Sequence, residues 1–322
     1  MRRLAVLPVL ALSASLVLAG CGDDGEETPD ASSTSSAAAV GSGELPSVSG
    51  AYGEKPTISF EGDAPKALQK EILDEGDGPE VQSGDLLVAD YLGQVWGGEV
   101  FDNSYDRGQV AAFPIGVGQV VSGWDETLVG VKAGSRVLMS LPPDKGYGAN
   151  GNEQAGIKGT DTLVFVVDVV GSYGKSSGAQ ADAAQKDAPP AGITVSGAPG
   201  AAPKVTVAKT YKAPAKAATT VLAEGTGPAV ASGQVIGQYV AVDAKGSALG
   251  STWESTPQAI PVAVEGQPGP FDALVGVPAG SRVLLQVPPT AANQSTGQQA
   301  SPGVVAVVDV VAQAQTAKDS AK

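Results

Sequence analysis

The stretch SGWDETLVGVKAGSRVLMSLPP runs from Ser122 to Pro143, and a shortened copy, GPFDALVGVPAGSRVLLQVPP, runs from Gly269 to Pro289. In the first copy Asp125 and Glu126 suit a first helical turn, and Trp124, Leu128 and Val131 fall at i, i+4 and i+7. This spacing predicts a short helix with Ser122 as its N-cap. The runs RVLMSLP, LLVADYLGQV and LVFVVDVV are short, rich in β-branched residues and bounded by glycine or proline, so they read as strands. One apolar-faced helix among such strands must be covered by sheet. The expectation is an α+β fold, a twisted antiparallel sheet folded around a short helix.

The duplication reaches further. ILDEGDGPEVQSG, from Ile72 to Gly84, returns as VLAEGTGPAVASG, from Val221 to Gly233, and VVDVV begins at both Val166 and Val307. The offset between copies shrinks along the chain, which puts the lost residues in loops and keeps the strands. Two domains are expected, 51–173 and 200–313. A Pro/Gly/Ala-rich linker (174–199) joins them and a short tail (314–322) follows.

The chain opens MRRLAVLPVLALSASLVLAGC, a basic start, an apolar run too short for a membrane span, and small residues before the only cysteine. Residues 1–20 read as a signal peptide, and LAGC resembles the lipobox of bacterial lipoproteins. That resemblance implies lipid attachment at Cys21 and a place at the cell membrane on its extracytoplasmic side. The acidic, then Ser/Ala-rich residues 21–50 lack the bulky apolar content of a packed segment and read as a disordered tether.

Composition excludes much chemistry. The formal net charge of −14 leaves nothing basic to grip nucleic acid. There is no histidine, and the single cysteine, Cys21, is taken by the expected lipid. Ser-His-Asp and Cys-His nucleophile pairs, histidine metal sites, structural zinc and disulfides are therefore all ruled out. GVGQVVSGWDETL misses the dinucleotide-loop spacing, and LDEGDGPE lacks the ligand pattern of a calcium loop and reads as a solvated turn. What remains are carboxylates, tyrosines, backbone amides and a shaped apolar pocket.

The order DYLG, FDNSYDRG, FPIGVGQVVSGWDETLVGVKAGSRV, PPDKGYGANG and TLVFVVDVV is similar to that of the FKBP-type peptidyl-prolyl cis-trans isomerases, without a gap from Tyr91 to Tyr147. The resemblance implies an isomerase that needs no cofactor or metal. It implies a pocket between sheet and helix, floored by Trp124 and walled by Tyr91, Phe101, Asp102, Val120, Val121, Tyr147 and Phe165. The Val121 backbone N–H and the Tyr147 hydroxyl would be the donors to substrate. Ala111 departs from the family, standing where a pocket-edge aromatic is common, and GNEQAGIKGTD leaves Ile157 as that loop's expected pocket contact. The implied partners are unfolded or flexible proline-containing exported proteins and macrolides of the rapamycin or tacrolimus type. A non-catalytic binding or chaperone module built on two FKBP-like domains is the alternative.

The second copy is expected to keep the fold and lose the pocket. At an offset of 149, Tyr91, Phe101 and Asp102 become Val240, Gly250 and Ser251, and at the smaller offsets further along the chain Tyr147 and Phe165 become Asn293 and Ala306. Trp124 becomes Phe271 or Pro270 according to where the gap is placed, and the first choice sets Pro268, which has no N–H, against Val121.

Overall fold

The computed structural model describes residues 43–265, 269–291 and 300–320. Cys21, Pro268 and Asn293 lie outside them, as do the signal peptide and most of the predicted tether.

The described residues open with a hairpin, β1 (Ser47–Ser49) and β2 (Thr57–Ser59). There follow β3 (Gln69–Asp74), β4 (Leu86–Val95), β5 (Val100–Asn103), β6 (Ala111–Pro114), α1 (Ser122–Leu128), β7 (Arg136–Leu141) and β8 (Leu163–Tyr173). They make one antiparallel sheet in the order β3-β7-β8-β4-β5, with β6 also on β4. Side chains alternate across a strand. Leu87, Ala89 and Tyr91 of β4 and Phe165, Val167 and Val169 of β8 therefore face one core with Trp124 and Leu128 of α1. Leu92, Val164 and Val166 face the other way, against Val48 and Ile58 of the hairpin. Cover on both faces explains why these central strands are apolar almost without interruption.

The second half continues with β9 (Ala184–Gln185), β10 (Ile193–Ser196), β11 (Lys204–Val207), β12 (Ala218–Glu224), β13 (Gly233–Asp243), β14 (Ala248–Ser251), β15 (Gln258–Val262), β16 (Arg282–Val287), β17 (Val304–Ala314) and α2 (Ala317–Ser320). The order β14-β13-β17-β16-β12, with β15 on β13, repeats that of the first sheet, and β9 adds an edge strand on β12. The hairpin is repeated too. In the first half Arg136 pairs with Asp168 and donates to the carbonyls of Gly50 and Glu54; in the second Arg282 pairs with Asp309 and donates to those of Gly197 and Ala201. Both pairs are almost fully buried.

Four expectations are corrected. Residues 47–49 form β1, so the segment expected to be tether is already sheet at its end. The linker is structured, because Ala179 and Ile193 are buried and β9 and β10 lie within it. The tail forms α2, whose Ala317 is fully buried and donates through its N–H to Asp90 Oδ2 at 2.7 Å. Finally, among the described residues the core of the second half holds no α-helix, only a 3₁₀ turn at Pro270–Leu274. Seven residues at about 1.5 Å rise and five at about 2.0 Å span nearly the same length, so the shortened copy tightens to bridge the same gap.

Ser122 is the first helical residue rather than the cap. The cap position is Val121, in extended conformation with no side-chain bond. The carboxylate of Asp125 is engaged instead by the amides of Gly116 and Gly118, at 2.6 and 2.7 Å, and so fixes the loop that leads into the helix.

Candidate functional site

Between α1 and the inner face of the first sheet lies a cavity of about 680 Å³. Trp124 is its hub: the indole meets the rings of Tyr91, Phe113 and Phe165 with centroids 5.5, 5.5 and 5.3 Å away and planes 85°, 81° and 88° apart. Phe101 stands edge-on to Phe165 at 5.6 Å. Edge-to-face contacts of this kind favour one fixed arrangement of rings over many loose ones. The chain makes room for it at Gly93, where a Cβ would lie 2.7 Å from both Phe101 and Phe165.

The structure places Tyr91, Phe101, Asp102, Val120, Val121, Trp124, Tyr147 and Phe165 on the wall of this one cavity. Val121 sits where the chain turns into α1, and among the described residues its N–H has no acceptor. Tyr147 follows the Pro143–Lys145 turn and is partly exposed at the mouth. Ile157 is placed differently from the sequence expectation. It is 3 % exposed, packs in the core and is not on the cavity wall. Its N–H and C=O bond back to the backbone of Asn152, which folds the loop inward.

Sequence reasoning missed three contributors. Phe113 lines the cavity beside Tyr91, 6.1 Å between centroids. Gln119 brings an uncharged polar side chain to the rim. Arg107 stands behind the polar wall and supports it: it pairs with Asp102, donates to the Tyr91 hydroxyl at 3.1 Å and lies 5.6 Å from the Tyr91 ring. The signal for it was in FDNSYDRG, where a basic residue returns just after Asp102 across a tight turn. Tyr91 in turn donates to Asp102. Burial, and then that bond, push the Tyr91 hydroxyl up to about 12, so it remains a protonated donor throughout the neutral range. The wall therefore offers rings, backbone and a charge-neutral polar triad, with neither nucleophile nor metal ligand set. Such a wall can hold and reshape an apolar group without breaking a bond.

The second half shows what its copy of this site became. Ser104 exchanges two bonds with Tyr91, and Thr252 exchanges the same two with Tyr239. Leu92 pairs with Asn103 as Val240 pairs with Ser251. Tyr239 is thus the counterpart of Tyr91, correcting the assignment to Val240, and Phe101 and Asp102 correspond to Leu249 and Gly250. Asp272 accepts from Ala263 as Asp125 does from Gly116, which makes Phe271 the counterpart of Trp124. Phe165 corresponds to Ala306, as the ladders with Gly93 and Ala241 require. Of the rings only Tyr239 and Phe271 remain, 6.2 Å apart.

The comparisons agree with the half that keeps its rings. A family model for FKBP-type peptidyl-prolyl cis-trans isomerases matches residues 78–170. An FK506-binding protein of Streptomyces anulatus is 40 % identical over 119 residues, 36 % of this chain and 96 % of that protein. FK506-binding protein 1A of Neurospora crassa is 40 % identical over 114 residues, 34 % of this chain and 92 % of that one. The crystal structure of FkpA from Escherichia coli shares 34 % identity over 33 % of this chain and 47 % of its own, with a TM-score of 0.30. With its ring-lined cavity inside the matched residues, the chain belongs to the FKBP-type peptidyl-prolyl cis-trans isomerases.

Proposed function

We propose that the protein is a lipid-anchored, extracytoplasmic prolyl isomerase that assists exported proteins at X-Pro bonds, with its chemistry confined to the first cavity. The observation that carries this reading is the Trp124 hub, an aromatic floor wide enough for a proline ring and bordered by directed donors.

Rotation about an X-Pro bond faces a barrier of about 18–20 kcal/mol from partial double-bond character. A rate gain of about 10⁴–10⁶ needs about 5.5–8 kcal/mol. Seating the proline ring on Trp124, between Phe101 and Phe165, removes water from the imide, and a cup shaped for the twisted bond stabilises the transition state over both planar forms. The Val121 N–H and the Tyr147 hydroxyl supply donors to substrate carbonyls, and the Tyr91–Asp102–Arg107 triad holds the polar wall. No covalent step is needed, which suits a chain without histidine. Macrolides of the FK506 type, whose binding gives the relatives their names, are expected to compete for the same cup. The loss of Phe101, Asp102 and Phe165 counterparts supports a non-catalytic role for the second half. Cys21 in LAGC supports the anchor.

The test is proline-peptide isomerisation by the full mature chain and by its Phe101→Ala and Asp102→Ala variants, beside fractionation of cells making Cys21→Ser. Full turnover by either folded pocket variant removes the site assignment, and unchanged membrane association of the Cys21→Ser protein removes the anchor.

A further inference from the structure

The described residues belong to one compact unit, Ala39–Lys322, and its two repeats meet through matching faces. Leu86 and Val88 point away from the pocket on β4, and they pack in one buried cluster with Ile236 of β13 and the ends of β8 and β17. Val88 pairs with Ala112 and Gly171; its counterpart Ile236 pairs with Ala259 and Ala312. The same patch of each repeat therefore faces the other, which is how a two-fold dimer is built.

Each repeat also gives the other a piece of chain. The segment leaving β8 crosses to the second sheet, where Ala179 donates to Asp309 Oδ2 at 2.9 Å, Lys175 accepts from Gln238 Nε2 at 2.9 Å, and β9 becomes the edge strand. The segment leaving β17 crosses back, and Ala317 donates to Asp90. Asp90 and Gln238 are counterparts, each preceding the tyrosine of its repeat. Asp90 is an acceptor meeting an N–H and the Gln238 Nε2 a donor meeting a carbonyl, so each is matched to the backbone group that the other repeat delivers, while the Gln238 Oε1 is buried without a partner among the described residues. An unpaired carboxylate or amide in such a place is costly.

We propose that the second repeat serves as the isomerase repeat's built-in partner subunit: it covers the patch of Leu86 and Val88 on the first sheet's outer face, beside the part covered by that repeat's own hairpin, and exchanges chain segments with it, so that the halves stay together without the peptide link between them. This assigns a task to a repeat that has lost its rings, and it leaves the pocket, on the opposite face of the first sheet, open.

The experiment uses the full mature chain with a protease recognition sequence inserted after the exposed Ala188. The folded protein is cut and passed over a sizing column at micromolar and nanomolar concentration. The expected result is that both fragments elute together at the volume of the uncut chain, and that the amides of Ala179 and Ala317 exchange slowly before and after cutting. Ile236→Asp is expected to weaken the association of the cut halves by tenfold or more. Separation of the wild-type fragments, folded or unfolded, overturns the proposal, and so does free exchange at Ala317. If cut Ile236→Asp protein holds together as tightly as wild type, the shared face is not what joins them and the proposal falls. Isomerase turnover by the uncut chain is read separately, so that loss of this proposal is distinct from loss of the activity.

Discussion

The Trp124 indole meets the Phe165 ring edge-on, with centroids 5.3 Å apart and planes at 88°, which makes helix and central strand a single rigid floor and wall. Trp124→Leu keeps apolar volume but removes the ring that Tyr91, Phe113 and Phe165 all contact. Aromatic pairs contribute about 0.5–1.5 kcal/mol each beyond their buried area. The variant is expected to melt several degrees lower and to lose at least tenfold in kcat/KM. Calorimetry and peptide isomerisation on one preparation check this, and wild-type values for both contradict it.

Turnover is expected to be flat between about pH 6 and 9, since the chain has no histidine and the Tyr91 hydroxyl stands near 12. Stability is a different matter in alkali. Tyr91 is raised in the folded state, so above about pH 10 the unfolded chain has released a proton that the folded chain still holds. The stabilisation is complete below about pH 10 and is lost as pH rises through 12. Tyr105, raised by burial and then by the charge of Asp168, adds to the same loss. Urea midpoints at pH 8, 10 and 11.5 are expected to fall in that order, and a rise would refute the assignment.

Arg136→Leu is expected to destabilise the protein by about 3–5 kcal/mol, because it leaves Asp168 charged and buried without its partner. Arg282→Leu should cost a similar amount through Asp309. Chemical denaturation measures both, and a shift below about 1 kcal/mol in either would show that the pair is dispensable.

Ala263 has φ +48°, and its counterpart Gly116 has φ +75°. The left-handed region disfavours any side chain, so the second repeat carries strain that the first avoids. Ala263→Gly is expected to raise stability by about 0.5–1 kcal/mol, read from the denaturant midpoint. A lowered midpoint would mean that alanine is preferred there.

The strands and α1 were legible because their signals are local: Trp124 and Leu128 lie one turn apart, and the β8 run LVFVVDVV is apolar on both faces. The rings of the pocket were legible through the resemblance. Arg107 was not, since its role depends on a tight turn bringing it back over Tyr91. Neither was Tyr239, which one residue of slippage hid behind Val240 until the paired bonds with Thr252 fixed the register. The order of the linker had no local cause to find: Ala179 is held by Asp309, 130 residues on. Ser122 misled because Asp125 spends its carboxylate on the loop rather than on a capping arrangement.

The bond from Ala317 to Asp90 joins residues 227 apart in the chain. Synthesis runs from the N-terminus, so Asp90 is made long before the amide that satisfies it. Contacts of such separation close late and slowly. The first repeat can assemble its sheet and its own hairpin early, but Asp90 waits for its partner amide until α2 emerges. The polypeptide thus sets its own clock: the seam between the two repeats stays unfinished while the second is being made, and the arrival of Ala317 ends that interval.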